Sequence, residues 1–378
     1  MNRHSKTLSA LWCSGIVLFI LFSLPVLAKA ERIVPSDRVT SYVNVREQPS
    51  TQSVVVGRLS PNESAELLEG VPYWYHVRLS NGVTGYVSKA WSVKVSEAVE
   101  TGRVIRLGSW NIKKLGHGSS KDYALLAQVI GSNFDVLAVV EVMQKQGGHP
   151  GYDALLSALG PDWDGLVTDS PRPNTGAGHS EFYAVLYRQG LLRPCADWDA
   201  LVYYEDNDGS GSDTGEDVFS REPGFGCFEA PLNDSSIGID FLLGAYHARW
   251  DEGHIEEISD EVDHVDEVFT AMQQARPGEG DIIIAGDFNL VPQKLREEVT
   301  VEVNTQGTGS TLNSQGERTT NLYDHILVLH EQETSEMIGS PEVLDVIGQA
   351  TSPQVFFDTV SDHLPVFVRL RAFGPDDD

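Results

Sequence analysis

The sequence predicts two units of different class: a small all-β module over residues 31–97 and a larger α/β domain over residues 103–371. Three observations carry this reading. Short alternating apolar runs separated by turn residues fill the first stretch, as half-buried strands do. Strand-length apolar runs and helical repeats then interleave through the second, which is the order of an α/β domain. Within it Ile282, Ile283 and Ile284 read as a strand buried on both faces, ending abruptly in Gly286, Asp287, Phe288 and Asn289.

The chain opens with Arg3, His4 and Lys6, then an apolar run Leu11–Leu27 broken by Ser14, Gly15, Ser23 and Pro25. Ala28-Lys29-Ala30 follows as a small-x-small cleavage pattern, so residues 1–30 read as a signal peptide and the mature protein as secreted or periplasmic. The alternative is an uncleaved membrane anchor, because the apolar run is long. Cleavage would remove Cys13 and leave Cys195 and Cys227, either as a disulfide or as two buried thiols.

In the first module the runs Val39–Val45, Val54–Leu59, Ala65–Glu69, Tyr73–Leu79 and Val83–Val87 read as strands, with turns at Pro49-Ser50, Pro61-Asn62 and Asn81-Gly82. Its aromatics Tyr42, Tyr73, Trp74, Tyr75, Tyr86 and Trp91 either line a groove or fill a small core. An acidic connector at 96–101 leads into the larger domain. There Val104–Trp110, Val136–Val140, Phe182–Tyr187, Leu201–Tyr204, Gly224–Phe228, Ile239–Tyr246, His325–Leu329 and Val366–Leu370 read as further strands. Asp122–Ile130 and Tyr152–Leu159 are helical by spacing. Ile255–Ala275 reads as one amphipathic helix with acids on its outer face.

Charge narrows the partners. The chain has 27 Lys+Arg against 55 Asp+Glu, a net −28; without residues 1–30, which carry Arg3, Lys6, Lys29 and no acid, it is 24 against 55, or −31. Such a surface repels polyanions, which counts against passive nucleic-acid binding but not against a metal-dependent enzyme whose cations screen the substrate.

Polar residues recur where strands end. Asn111 closes the first strand of the domain, Glu141 the second, and His247 follows Phe241–Tyr246. Asp287 and Asn289 follow the isoleucine strand, Asp324 opens His325–Leu329, and Asp362 and His363 precede the last strand. A lone Asp there is usually a turn and a lone His a satisfied core residue; six such places suggest a site, because sites collect where loops leave a rigid sheet.

These positions fall in motifs: Ser109-Trp-Asn-Ile112, Val140-Glu-Val142, Ser180-Glu-Phe-Tyr183, Tyr187-Arg188, Phe219-Ser-Arg-Glu-Pro223, Ala245-Tyr-His-Ala248, Gly286-Asp-Phe-Asn289, Thr319–Asp324 and Ser361-Asp-His-Leu-Pro365. In this order they resemble the endonuclease/exonuclease/phosphatase superfamily, in its deoxyribonuclease I-like branch. Val43-Asn-Val-Arg46, Tyr75-His-Val-Arg78 and Gly85–Trp91 resemble a bacterial SH3-like domain. The resemblance implies a four-layer α/β sandwich (deoxyribonuclease I-like) preceded by a small SH3-like barrel. It implies a metal-dependent phosphodiesterase, with Glu141 and Asp362 holding Mg²⁺ or Mn²⁺ near Asn111, and Asp287 and Asn289 orienting water and phosphate. His247 and His363 would flank the phosphorus, backed by Glu181 and Asp324 respectively; His363 is expected to act as base and His247 as acid. Asn111, Arg221 and Thr319 would bind substrate. Asp208, Asp217, Phe219 and Glu222 would hold a structural Ca²⁺, the alternative being an acidic solvated loop.

Two departures bear on the substrate. Met143 stands where the resemblance implies a minor-groove arginine, and His179 where it implies a tyrosine. The resulting expectation is an exported, monomeric, Mg²⁺-dependent endonuclease acting on DNA, with the SH3-like module binding cell wall or peptide. The alternatives are a secreted sphingomyelinase-like phosphodiesterase, or a surface-binding protein with a dead catalytic domain.

Overall fold

A computed structural model describes residues 31–372 apart from 37–38, 40–41, 61–63, 80, 97–102, 118–120, 175–178, 197, 207–217, 232–236, 251–252 and 330–335. The expected signal peptide and most of the acidic connector lie outside these residues. The chain divides near residue 100 into two compact units.

The first unit is all strand: β1 (Glu31–Pro35), β2 (Val43–Arg46), β3 (Val55–Leu59), β4 (Ala65–Val71), β5 (Trp74–Arg78), β6 (Thr84–Ser88) and β7 (Ser92–Ser96), in the order β3-β2-β6-β5-β4-β1-β7. The sequence reading misses β1 and β7, which pair antiparallel with each other through five consecutive residue pairs. Each is short and mixed in polarity, so only pairing identifies it. The core is aliphatic: Ile33, Val45, Ala65, Val77 and Val87 are fully buried. Of the six aromatics only Tyr75 packs against it; Tyr42, Tyr73 and Trp91 are exposed, and Trp74, Tyr75 and Tyr86 are half-buried.

The second unit runs β8 (Arg103–Leu115), α1 (Tyr123–Asn133), β9 (Val136–Met143), α2 (Pro150–Leu159), β10 (Trp163–Val167), β11 (Arg172–Asn174) and β12 (His179–Arg188). It continues with β13 (Arg193–Pro194), β14 (Val202–Tyr203), β15 (Gly224–Pro231), β16 (Ile237–His247), α3 (Ile255–Val262), α4 (Val265–Ala275) and β17 (Ile282–Asp287). It ends with α5 (Pro292–Glu298), β18 (Asp324–Leu329), β19 (Met337–Val343), α6 (Pro353–Thr359) and β20 (Val366–Ala372). One sheet has the order β10-β12-β9-β8-β20-β19, the other β13-β15-β16-β17-β18.

Three hydrophobic cores explain the four layers. Side chains alternate faces along a strand, and β17 shows it: Ile283 and Ala285 join the core between the sheets, while Ile282 and Ile284 face α3, α4 and α5. On the other sheet Val136, Ala138 and Val140 face the partner sheet, while Leu137 and Val139 face α1 and α2. Each sheet thus carries apolar residues on both faces, and each outer face is covered by helices.

The predicted helix Ile255–Ala275 is two helices, broken at Asp263 and His264. Its apolar repeat runs unbroken through the join (Ile258, Val262, Val265, Val268, all buried), so periodicity alone does not reveal the break. The sequence reading also lacks β10, β11, β13, β19, α5 and α6. They are short, and their buried positions are supplied by a few residues such as Trp163, Leu295 and Phe356.

Candidate active site

The strand-end polar residues extend the alternation of the inter-sheet core. Leu107 faces that core from β8, Val185 from β12, Leu243 from β16, Ala285 from β17 and Ile326 from β18. Asn111, Glu181, His247, Asp287 and Asp324 sit an even number of residues from these on the same strands, so all five point between the sheets. The site is the polar end of the apolar core.

Glu141 reaches the same place by a different route. Phe182 pairs with Val142 and Ala184 with Val139, so Val140 and Glu141 both stand opposite Tyr183 in a β-bulge. Glu141 takes φ +58° there, a left-handed backbone uncommon for a residue with a Cβ. Its Oε1 accepts from Asn111 Nδ2 at 3.1 Å and its Oε2 from the Lys114 backbone N–H at 2.7 Å.

Two histidine–carboxylate pairs converge on Asp287, and each joins the two sheets: His247 ends β16 and Glu181 lies on β12, while His363 leads into β20 and Asp324 opens β18. His247 Nδ1 lies 3.1 and 3.2 Å from the Glu181 oxygens, and its Nε2 is 3.8 Å from Asp287 Oδ2. His363 Nδ1 lies 2.8 Å from Asp324 Oδ2, and its Nε2 is 3.6 Å from the same Asp287 oxygen. Burial and the Arg221 charge oppose protonation of His247, but Glu181 and Asp287 outweigh them and hold its pKa above the ordinary value. Burial likewise opposes protonation of His363, and Asp324 with Asp287 overcomes it, raising that imidazole well above its usual range. Asp287 is itself held above the usual carboxylate range by burial, which the two imidazoles only partly offset.

The supporting hydrogen bonds fix these groups. Asn289, at φ +52°, turns the chain after β17; its N–H donates to Asp287 Oδ1 at 3.0 Å and its Nδ2 to Ala248 O at 3.0 Å. Gly286 makes room for this, because a Cβ there would lie 1.7 Å from Tyr246 O on the neighbouring strand. Ser361 Oγ donates to Asn111 O at 2.6 Å and accepts from His363 N–H at 3.1 Å. Ser310 Oγ accepts from the N–H groups of Tyr323 and Asp324. Ser310 carries no motif signal in the sequence; only the fold brings it under Asp324.

The donor set fits a hard divalent cation. Asn111 Nδ2 bridges Glu141 and Asp287 Oδ2, which leaves Asn111 Oδ1 buried without a partner beside two carboxylates. An unpaired buried oxygen of this kind calls for an ion or water. Asp362, expected beside Glu141, is paired with Lys113 Nζ at 3.1 Å. Lys121, also near Glu141 and Asp362, is buried with Nζ donating to Val360 O at 2.7 Å, and burial lowers its pKa to about 8.

Other expected residues sit elsewhere. Arg221 is 1% exposed, so its expected phosphate contact gives way to an internal role. Its guanidinium reaches Glu181 Oε1 at 2.8 Å and the carbonyls of His247 and Ala248 at 3.0 and 2.7 Å, bracing the Glu181–His247 pair. Against the cost of full burial, the charge of His247 and then that of Arg221 hold the Glu181 carboxyl below its usual range. Thr319 Oγ1 shares a hydrogen bond with Thr311 Oγ1, next to the bridge between Thr311 and His363.

In the expected Ca²⁺ region Asp208 and Asp217 lie outside the described residues. Phe219 packs its ring in the core, and Glu222 pairs with Arg172 at 2.8 Å. Asp206, which the sequence reading passed over, is buried there; its Oδ2 accepts from Val218 and Phe219 N–H, and its Oδ1 has no partner among the described residues. Met143 is only 1% exposed, so it offers nothing to a groove in a substrate. Cys195 and Cys227 form a disulfide.

Comparison with known proteins places this arrangement. The endonuclease/exonuclease/phosphatase family model matches residues 108–363, and the bacterial SH3 domain model matches residues 41–93. A deoxyribonuclease of Thioalkalivibrio sp. is 30% identical over 274 residues, 70% of each chain. Deoxyribonuclease-1 of Canis lupus familiaris is 25% identical over 71% of this chain and 92% of its own. The crystal structure of an endonuclease/exonuclease/phosphatase family protein from Bacteroides thetaiotaomicron superposes with a TM-score of 0.49 at 16% identity, over 72% of this chain and 98% of that one. The chain belongs to the endonuclease/exonuclease/phosphatase family, as a hydrolytic phosphodiesterase or nuclease preceded by a bacterial SH3 domain.

Proposed function

We propose that this protein is an exported, divalent-metal-dependent endonuclease that hydrolyses DNA phosphodiester bonds. The observation that carries the reading is the convergence of two carboxylate-backed imidazoles on Asp287, with His247 Nε2 and His363 Nε2 3.8 and 3.6 Å from one oxygen. In-line hydrolysis needs a proton taken from the attacking water on one side of the phosphorus and a proton given to the leaving oxygen on the other. His363 takes the first and His247 gives the second. The new bond joins the water oxygen to phosphorus, and the bond to the leaving sugar oxygen breaks.

Glu181 and Asp324 hold each ring by Nδ1 and stabilise its charged form. Asp287 and Asn289 orient the water and a phosphoryl oxygen. Glu141 and Asn111, with Asp362 beyond Lys113, would hold Mg²⁺ or Mn²⁺. The bound cation neutralises phosphate charge and, by its own charge, opposes protonation of the nearby imidazoles. Asp206 would join Asp208, Asp217, Phe219 and Glu222 around a structural Ca²⁺.

The names of the two relatives support DNA as the substrate. The amino-terminal sequence and the Cys195–Cys227 disulfide support a secreted or periplasmic location. The SH3 unit, with its aromatics at the surface, would attach the enzyme to cell wall or peptide.

The test is nicking of supercoiled plasmid by the purified protein with Mg²⁺, with Mg²⁺ plus Ca²⁺, and with chelator, beside His363→Ala. Nicking that needs metal and the histidine supports the reading. A folded protein that leaves both the plasmid and single-stranded DNA intact in every buffer overturns it.

A further inference from the structure

An exposed tryptophan stands beside the two histidine arms. Trp250 lies three residues beyond His247 and is 54% exposed, the largest exposed apolar side chain among the described residues of the α/β unit. Its ring contacts Tyr323, with centroids 6.0 Å apart and planes at 51°. Tyr323 immediately precedes Asp324, the carboxylate behind His363, and its carbonyl accepts from Phe288 N–H at 2.9 Å. Burial and the charge of Asp287 both raise the Tyr323 phenol above its ordinary pKa, which places that hydroxyl within reach of the site's field. The pair thus joins the segment leaving His247 to the segment entering Asp324.

Although it touches Tyr323, the Trp250 side chain leaves more than half of its surface open to solvent. Other features of the chain say what would cover it. Met143 is buried, so the strand carrying Glu141 offers no side chain to a duplex groove at that position. The chain is strongly acidic, at −28, which works against gripping the phosphates of a double helix. A stacked base needs no positive surface, because every base offers a π-face to an aromatic ring.

We propose that Trp250 and Tyr323 form a stacking platform for an unpaired nucleobase next to the scissile phosphate, so that the enzyme favours single-stranded or frayed strands over intact duplex. This rests on the nuclease reading above. A base in a duplex is already stacked on both sides and must leave that stack before it can lie on the indole.

The experiment compares the purified protein with Trp250→Ala and Trp250→Phe in Mg²⁺. The substrates are a single-stranded oligodeoxynucleotide, the same strand in duplex, and a strand of abasic sugars. The unsubstituted protein should cleave the base-bearing single strand with a KM about 5- to 150-fold below that for the abasic strand, the range expected for a base stacked on an aromatic ring. That gap should close in Trp250→Ala and reopen in Trp250→Phe. A gap unchanged in Trp250→Ala, or a preference of the unsubstituted protein for duplex, overturns the platform while leaving the nuclease standing. Failure of the unsubstituted protein to cleave any strand overturns the nuclease reading, and the platform falls with it.

Discussion

His363 Nδ1 lies 2.8 Å from Asp324 Oδ2, a hydrogen bond that fixes which ring nitrogen faces the substrate. Asp324→Asn should misorient the ring or its tautomer and lower kcat by about 10²- to 10⁴-fold, the span of general acid–base catalysis, with a smaller effect on KM. His363→Ala should abolish cleavage and keep the fold. Plasmid nicking and far-ultraviolet circular dichroism read the two quantities, and an active His363→Ala protein sinks the assigned mechanism.

Glu141 is held in its bulge by Asn111 Nδ2 and Lys114 N–H. Glu141→Ala should reduce activity at fixed Mg²⁺ by more than the roughly 10- to 100-fold typical of residues that merely support a ligand. Part of the loss should be recovered at higher Mg²⁺. An unaltered Mg²⁺ titration would remove Glu141 from the metal site.

The raised pKa of His363 links the site to stability. Its unfolded value is about 6.5, so its contribution is complete below that pH and is lost as pH rises through the higher folded value. In chelator, the denaturation midpoint should therefore fall as pH climbs above about 6.5, and more steeply than in His363→Gln. Parallel profiles for the two proteins would refute the shift.

Cys195 and Cys227 are 32 residues apart. Closing a loop of that length stabilises a fold by about 3–4 kcal/mol in the chain-entropy estimate, or roughly 10 °C in melting temperature for a domain of this size. Calorimetry of Cys195→Ala/Cys227→Ala should show that loss, and reductant should reproduce it in the unsubstituted protein. A melting temperature unmoved by both would show that the bond adds little.

Asp206 Oδ1 is buried beside Glu222 with no partner among the described residues. Added Ca²⁺ should raise the melting temperature and slow proteolysis, and Asp206→Asn should blunt both effects. If neither quantity moves with Ca²⁺ in the unsubstituted protein, no structural ion binds there.

Residue patterns along the chain carry the class of each unit, the order of most strands and the places where the chemistry collects. Ile282–Ile284 marks a buried strand because a β-branched run suits a sheet covered on both sides, and Asp287 stands out because a charge ends that run. Period two carries the rest: Asn111, Glu181, His247 and Asp324 keep step with apolar neighbours that pack between the sheets. Strands such as β7 and β19 were not legible, since too few of their residues are buried to leave a pattern.

The bulge at Glu141, the inward turn of Arg221, the burial of Met143 and the meeting of Trp250 with Tyr323 emerge only in the folded chain. Each depends on contacts between residues far apart in the chain. Arg221 looks like a surface cation until Glu181, His247 and Ala248 close around it. Local sequence specifies which face of a strand a side chain takes; the packing of one sheet on the other specifies what it meets there.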